Sequence, residues 1–387
     1  MGGRLLRIGL VLLVLVALIV VWEPSRVAVQ TAVMLPNLLD AGPKPLSTFS
    51  EAPQRSAITY RSDGAASSDL AELWLPAWAS EDRQAGAMLL VFGVNNVGRN
   101  HPAIVRVADG LARTGVAVLV PDQRTLLEGR LEVGEINGVV QAFETLHARP
   151  EVDPERVGIV GFSVGGSLAL IAAADERIAD DVRWINPFGA FAEADSYLTS
   201  VAAHAYIDPN GELIDWLPAQ LTREVYLRFL LDQVTDVDDR TALDNAYGRA
   251  TLLGEQPMSM VGVKASLETD EARAVEELLT VRDLDSAQQA LAGLPGPSRE
   301  FIEAISPLGN IDGLRADVYL MHERADHHVP YVQSRLLAAA LDDGLLVTHT
   351  EFRLFDHVQP DDLDLIAAAP ELWKLLWHLH GLMLETL

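Results

Sequence analysis

The segment Val157–Leu170 reads VGIVGFSVGGSLAL and indicates how the chain folds. It starts with an apolar run, which is typical of a strand covered on both faces. Gly161, Ser163 and Gly165 follow in a glycine-x-serine-x-glycine pattern, and a small-residue helix is predicted from Val164. A strand that turns this sharply into a helix needs glycine where the chains approach. Two interpretations remain open at this point: Ser163 is a nucleophile, or it is a polar residue in a tight glycine turn.

Short apolar runs alternate with helix-length segments on both sides of this turn. Alternation on this scale predicts a mostly parallel, doubly wound α/β sheet of eight strands. The first two strands have no room for a helix between them, so they should form an antiparallel edge. The predicted strands start at Ala57, Leu70, Ala87, Gly115, Arg156, Val182, Ala316 and Leu345.

The alternation stops between about residues 190 and 306. This span is rich in Leu, Ala, Asp and Glu, contains no clear strand run, and is too long for a loop. It is therefore predicted to be a helical insertion over one end of the sheet. Trp216, Tyr226 and Phe229 within it either line a substrate pocket or belong to the core of the insertion.

The composition excludes several classes of function. The 387 residues are 49% hydrophobic, which is enough for a substantial core, and the formal net charge is -26. Nucleic acid would be repelled by this charge, so a nucleic-acid partner is not expected. The chain has no cysteine, which excludes disulfides, thiolate nucleophiles and cysteine-based zinc sites.

The N-terminal residues 1–22 resemble a membrane segment. Arg4 and Arg7 precede an uncharged apolar run from Ile8 to Trp22. A single-pass anchor, a cleaved signal peptide and a buried helix are all compatible with the run, and the anchor is favoured because no small-x-small cleavage site or polar face is present. The arginines predict a cytoplasmic N-terminus with the remaining chain outside; a signal peptide would instead give a secreted protein.

The predicted domain boundaries follow from proline placement and from the first strand. Residues 23–55 are predicted to be a connector, because four prolines, Pro24, Pro36, Pro43 and Pro45, fall within residues 23–50. Residues 56–387 are predicted to form one domain that includes the helical insertion.

A nucleophilic serine needs a base and an orienting carboxylate. Asp326 and His357 follow two successive predicted strands, and ligands of such sheets meet the carboxyl ends of strands. Both residues should therefore lie at the same edge as Ser163. Glu323 is the alternative acid, being closer to its strand end.

The remaining histidines are weaker candidates for the base. His349 lies inside a predicted strand, and His378 and His380 lie on the predicted last helix. The loop HERADHH, from His322, has a metal-like composition, but it lacks the second histidine of the H-E-x-x-H motif, so no metal site is predicted. His327 and His328 are then loop residues near the site that titrate close to neutrality.

The order Ser163, Asp326, His357 resembles the α/β-hydrolase superfamily, and most of all its single-domain esterase and dienelactone-hydrolase-like branch. The resemblance covers the chain from about Ala57 onward, apart from the insertion. It includes LAELWLPAW, LLVFGVNNVGRNHP, GVAVLVPDQR, RVGIVGFSVGG and ADVYLMHERADHHVP. It implies that the insertion is the lid of the family.

The resemblance also implies roles for backbone groups. The N–H of Val164, at the start of the helix, would bind the oxyanion. In the family a His-Gly pair follows the third strand, and the next residue gives the second oxyanion N–H. Here Phe92 occupies the histidine position before Gly93, so Val94 would give that N–H. Asp122, in PDQR, matches a structural position of the family.

These residues predict a serine hydrolase that cleaves a carboxylic ester or related acyl bond of a small molecule, without a cofactor. Peptidase, thioesterase and acyltransferase activity on the same residues remain alternatives. A different class of alternative is a catalytically silent, membrane-tethered interaction protein, which the substitution of Phe92 for the histidine favours.

Overall fold

The computed structural model describes residues 22–60, 69–248, 266–341, 344–360 and 367–387. Its main sheet has eight strands in the order β1-β2-β4-β3-β5-β6-β9-β10. Two further two-stranded sheets pair β7 with β8 and β11 with β12. The strands are β1 Gln54–Tyr60, β2 Asp69–Leu75, β3 Ala85–Val91, β4 Ala117–Pro121, β5 Val152–Phe162, β6 Trp184–Phe188, β7 Ala205–Ile207, β8 Leu213–Asp215, β9 Asp317–Glu323, β10 Leu346–Phe352, β11 Phe355–Asp356 and β12 Gln359–Pro360.

The strand directions agree with the sequence prediction. β2 runs antiparallel to both β1 and β4, and every other neighbouring pair of the main sheet is parallel. The predicted mostly parallel, eight-stranded sheet with an antiparallel edge is thus confirmed. Parallel neighbours require long crossovers, which explains the helix-length segments between the apolar runs.

Helices cover both faces of the sheet, so β3, β4 and β6 are buried throughout. In β3, Leu89 and Val91 pack on one side with α5, α6 and α13, whereas Met88 and Leu90 pack on the other with α1, α3 and α14. The helices are α1 Glu23–Leu38, α2 Pro45–Phe49, α3 Pro102–Thr114, α4 Arg124–Leu127, α5 Gly134–His147, α6 Val164–Ala173, α7 Ala194–Ala203, α8 Gln220–Asp232, α9 Val237–Leu243, α10 Asp270–Thr280, α11 Leu284–Ala292, α12 Gly296–Ala304, α13 Val332–Ala340 and α14 Ala369–Thr386.

The segment predicted as a connector, residues 23–55, contains the helices α1 and α2 and the start of β1. α1 packs against α3 and α14, and its Val27 and Met34 are buried in the core shared with them. The prolines misled the prediction because their positions suit a helix. Pro24 lies in the first turn, where its missing N–H costs nothing, and Pro36 lies in the last turn.

The helical insertion between β6 and β9 contains α7 to α12 and has a hydrophobic core of its own. Against the expectation of a purely helical span, it also contains the antiparallel hairpin of β7 and β8. Each of these strands has only 3 residues, too few for an apolar periodicity to show in the sequence.

The predicted membrane anchor, residues 1–22, falls almost entirely outside the described residues, which begin at Trp22. Among the helices that are described, none is both long and apolar enough to cross a membrane. The anchor and the cellular location remain predictions.

Candidate active site

Ser163 lies at the turn between β5 and α6, in a backbone conformation that side chains rarely adopt. Its φ is 55° and its ψ is -136°. Such a conformation costs about 1–3 kcal/mol and persists only where the surroundings hold it. Two backbone hydrogen bonds do so: Ser163 N donates to Phe188 O over 2.8 Å, and Gly166 N donates to Ser163 O over 2.8 Å. The sharp turn predicted from the motif is therefore present.

The motif glycines are required by close backbone approaches. A methyl group on Gly161 would lie 2.5 Å from Gly166 Cα, and one on Gly165 would lie 2.6 Å from Phe92 O. Both distances are shorter than any real carbon contact, and backbone atoms cannot rotate away. The glycines thus let the start of α6 lie directly against the ends of β5 and β3.

The segment after β3 passes beside Ser163. A methyl group on Gly93 would lie only 2.9 Å from Ser163 Cβ. Val94 and Val164 line the same cavity as Ser163. The N–H of Val164 belongs to the first turn of α6, whose donors have no acceptor within the helix. The two residues predicted to bind an oxyanion are thus neighbours of the serine.

Phe92 occupies the histidine position without leaving a gap. Its ring stacks on that of Phe162, the residue before Ser163, with centroids 4.8 Å apart and planes 5° from parallel. Phe162 in turn contacts Phe188 at the end of β6. The rings of Phe92, Phe162 and Phe188 therefore pack together beside the Ser163 turn. Phe92 stands where the resemblance implies a polar histidine.

Asp326 and His357 form a buried pair in the loops after β9 and β10. His357 Nδ1 lies 2.5 Å from Asp326 Oδ2. The other carboxylate oxygen, Oδ1, accepts hydrogen bonds from His328 N at 2.6 Å and Val329 N at 3.0 Å. Burial by itself would raise the pKa of Asp326, but His357 and His322 beside it outweigh burial and hold the pKa well below its ordinary value. Asp326 is therefore a carboxylate at neutral pH.

His357 adopts a left-handed conformation, with φ at 59°. A methyl group on Gly189, just after β6, would lie 2.8 Å from His357 Cε1. Since Ser163 N bonds to Phe188 O, serine and histidine contact the same end of β6. His357 Nε2 is buried and has no hydrogen-bond partner in the described part of the chain, and the ring lines the same cavity as Ser163.

The alternative acid and bases have other partners. Glu323 is buried and accepts hydrogen bonds from Ala325 N, Leu354 N and Phe355 N, so it holds two loops in place. The other histidines named above bond elsewhere: His349 to Ser334 Oγ, His378 to Thr350 Oγ1 and Asn186, and His380 to Pro24 O.

The three histidines of the loop HERADHH, His322, His327 and His328, lie in different surroundings near Asp326. His322 Nε2 lies 2.9 Å from Val329 O, and within the described ranges no cluster of His, Asp or Glu could hold a metal ion. The ring of His328 stacks on that of His357, with centroids 4.6 Å apart. Burial lowers the pKa of His328 to about 4, so the prediction that it titrates near neutrality is wrong. His327 is exposed.

The insertion holds the loop that carries Asp326 in place. These contacts were not predicted from the sequence. Trp216 Nε1 donates to Asp326 O over 2.8 Å, Ala219 N donates to His327 O over 2.7 Å, and Tyr197 Oη donates to His328 O over 3.0 Å. Thr222 Oγ1 lies 3.0 Å from His328 Nδ1. No local pattern signals these bonds, because their partners are more than a hundred residues apart.

A cavity of about 440 Å³ opens at Ser163 and is lined mainly by apolar side chains. Tyr226 and Phe229 of the insertion border it, as one of the two sequence interpretations proposed. Trp216 does not line it and serves instead as the hydrogen-bond donor to the Asp326 loop. The size lies within the range of small-molecule sites.

Asp122 has the structural role that the resemblance implied. It accepts a hydrogen bond from Arg99 N at 2.8 Å and pairs with the Arg99 guanidinium. It thereby fixes the loop after β3 from the end of β4.

Comparison with known proteins gives one family match and several structural similarities. Residues 136–207, which include the Ser163 turn, match the model of the acetyl xylan esterase family. A search of curated proteins finds no match. The chain is similar to dipeptidyl peptidase 4 of Porphyromonas gingivalis (12% identity, TM-score 0.50, 87% of this chain and 36% of that one).

Two further similarities have lower TM-scores. They are to acylaminoacyl peptidase of Pyrococcus horikoshii (15% identity, TM-score 0.43, 80% of this chain and 38% of that one) and to 2,6-dihydroxy-pseudo-oxynicotine hydrolase (12% identity, TM-score 0.44, 86% and 68%). The chain thus spans less than two fifths of the length of the two peptidases. The sheet order and the serine turn are those of the α/β-hydrolase fold, and residues 136–207, which carry that turn, are similar to the acetyl xylan esterase family.

Proposed function

We propose that the protein is a serine hydrolase that cleaves a carboxylic ester through Ser163, His357 and Asp326. The observation that carries the proposal is the free, buried Nε2 of His357, whose ring is held by Asp326 and faces the cavity at Ser163. A base with one nitrogen fixed by a carboxylate and the other unpaired is what a serine nucleophile requires.

In the first half of the reaction, Ser163 Oγ attacks the ester carbonyl carbon while His357 Nε2 takes the hydroxyl proton. The carbonyl oxygen becomes an oxyanion that accepts hydrogen bonds from Val94 N and Val164 N. When the tetrahedral intermediate collapses, the bond to the alcohol oxygen breaks, and His357 returns the proton to the departing alcohol. The acyl group remains on Ser163 Oγ.

In the second half, water replaces the alcohol. His357 Nε2 takes a proton from the water as its oxygen attacks the acyl carbon, and the same oxyanion donors act again. Collapse releases the carboxylic acid and returns the proton to Ser163. Asp326 stays ionised throughout, because its pKa lies far below neutrality, and it stabilises the protonated ring of His357.

Two observations support an ester over a peptide or a charged acyl substrate. The family model matched at the serine turn is that of an esterase. The net charge of -26 disfavours anionic substrates on approach. Thioester cleavage and acyl transfer use the same residues and differ only in the leaving group or acceptor.

Labelling with a fluorophosphonate probe tests the proposal. The wild type should label and hydrolyse p-nitrophenyl acetate, Ser163→Ala should do neither, and Ser47→Ala, which changes an exposed serine of α2, should behave as wild type. Equal labelling of Ser163→Ala would assign another nucleophile. A folded wild type without label would instead favour the silent interaction protein.

A further inference from the structure

The cavity at Ser163 continues beyond the catalytic residues, away from the insertion. There it runs between the sheet and three helices that cover one of its faces. We call this part the α1 chamber. Its helical walls are Met34 and Leu38 of α1, Ile104 and Val107 of α3, and Leu379 and Met383 of α14.

The floor of the α1 chamber is the sheet itself. Met88 and Leu90 of β3 and Val160 of β5 line it, and Phe92 and Phe162 connect it to Ser163. These side chains are apolar, and the amide of Asn186, which also lines the cavity from β6, is engaged by Tyr319 O and His378 Nε2. Protein interiors rarely keep voids larger than a water molecule, and an apolar cavity does not fill with water. Packing alone therefore gives no reason for an open space here.

A charged side chain that borders this space is already neutralised. Arg106 lines the cavity, but its Nη1 lies 3.2 Å from Asp40 Oδ2 and its Nε donates to Asn37 O over 3.1 Å. Among the residues that the structure describes, Arg106 therefore offers no free charge to a carboxylate or phosphate at this end. The α1 chamber suits a neutral hydrocarbon group.

The first helix is firmly placed as a wall of this space. Besides the contacts of Arg106, Gln30 Nε2 donates to Thr114 O over 3.2 Å, and His380 Nε2 lies 3.0 Å from Pro24 O. α1 is therefore tied to α3 and α14 along its length, and it closes a side of the cavity that the sheet and insertion leave open.

We propose that the α1 chamber binds an extended aliphatic chain of the ester, so that the substrates are long-chain esters. This inference rests on the proposed function of Ser163, which cleaves the bond at the end of the chamber. Each methylene transferred from water into an apolar site gains free energy, so kcat/KM should rise about fourfold per added methylene until the chamber is full.

Two series of substrates test the inference on the full chain. The first is p-nitrophenyl acetate, butyrate, octanoate and palmitate, in which the acyl chain grows. The second is ethyl, butyl, octyl and hexadecyl acetate, in which the alcohol grows. A rise in kcat/KM in either series supports the α1 chamber and shows which part of the ester it holds. Flat kcat/KM in both series, with acetates still hydrolysed, would overturn the inference and leave the proposed function intact.

A larger side chain in the wall of the α1 chamber should fill it and so provides a variant that tests the inference. Leu38→Trp at the end of α1 should lower kcat/KM for the preferred long ester at least tenfold and change that for acetate less than about twofold. Val29→Trp changes an exposed residue of the same helix and should match wild type. Val107→Trp, on α3, repeats the test if Leu38→Trp does not fold. Equal losses on short and long esters in both filling variants would contradict the α1 chamber.

Discussion

The carboxyl edge of the sheet and the helical insertion hold their parts of the candidate site by different means. At the sheet edge, Ser163 and His357 are fixed by strained backbone, each with positive φ, packed against the end of β6. The insertion instead fixes the loop of Asp326 by hydrogen bonds, among them those from Trp216 and Tyr197.

The two regions should therefore differ in how far their site residues can move. Strained backbone leaves little freedom, because any relaxation must move a strand end or a helix start. Hydrogen bonds from the insertion can be lost singly, each at a modest cost. Damage at the sheet edge should therefore abolish activity, whereas damage in the insertion should reduce it.

The largest expected effect is that of His357→Ala. Without its base Ser163 keeps its proton, so kcat for p-nitrophenyl acetate should fall by roughly 10⁴-fold or more. His349→Ala is the matched control, because His349 bonds to Ser334 Oγ and lies away from the cavity. If both variants lost activity equally, the assignment of His357 as the base would be wrong.

Gly161→Ala tests the backbone of the serine turn without changing a reacting group. The new methyl would lie 2.5 Å from Gly166 Cα, so the turn must open, and fluorophosphonate labelling should fall at least a hundredfold. Stability should also drop by about 1–3 kcal/mol in urea unfolding. Gly296→Ala, where no heavy atom lies within 4 Å of the added methyl, should change neither quantity by much.

Trp216→Phe should have a smaller effect, since it removes one hydrogen bond from the Asp326 loop and keeps an aromatic ring at that buried position. We expect kcat to fall about three- to tenfold with KM unchanged, in line with the net value of one hydrogen bond. Trp373→Phe, at a residue that is 65% exposed, is the control. A fall in kcat of more than a thousandfold would mean that the position of Asp326 depends on the insertion as strictly as that of Ser163 depends on the sheet edge.

The sheet edge could be predicted from the sequence, because its signals are local. The apolar run and the glycines around Ser163 predict the turn, and the strands before Asp326 and His357 predict their common edge. The insertion's contacts could not be predicted, since Trp216 and Asp326 are far apart in sequence and a buried tryptophan has many possible partners. Docking of α1 was missed for a related reason: only tertiary packing shows that its prolines lie at the helix ends.

The last prediction concerns stability, which should fall at mildly acidic pH through contributions from both regions. Burial lowers the pKa of His378, on the sheet side, to about 3 and that of His204, in the insertion, to about 4. Below about pH 6.5 these histidines are protonated in the unfolded chain but stay neutral in the folded chain. The free energy of unfolding is therefore highest above about pH 6.5 and falls as the pH drops toward the lowered pKa values.

The fully buried His378 contributes a slope of up to about 1.4 kcal/mol per pH unit, and the half-buried His204 contributes less because solvent screens its charge. The sum is measurable as a lower urea midpoint at about pH 5 than at about pH 7.5. His378→Gln removes the sheet-side contribution, so its midpoint should fall less between the two pH values than that of wild type. His204→Gln should give a similar reduction from the insertion. A wild-type midpoint that does not change with pH would show that the folded chain binds these protons as readily as the unfolded chain, and that burial does not lower the pKa of either histidine.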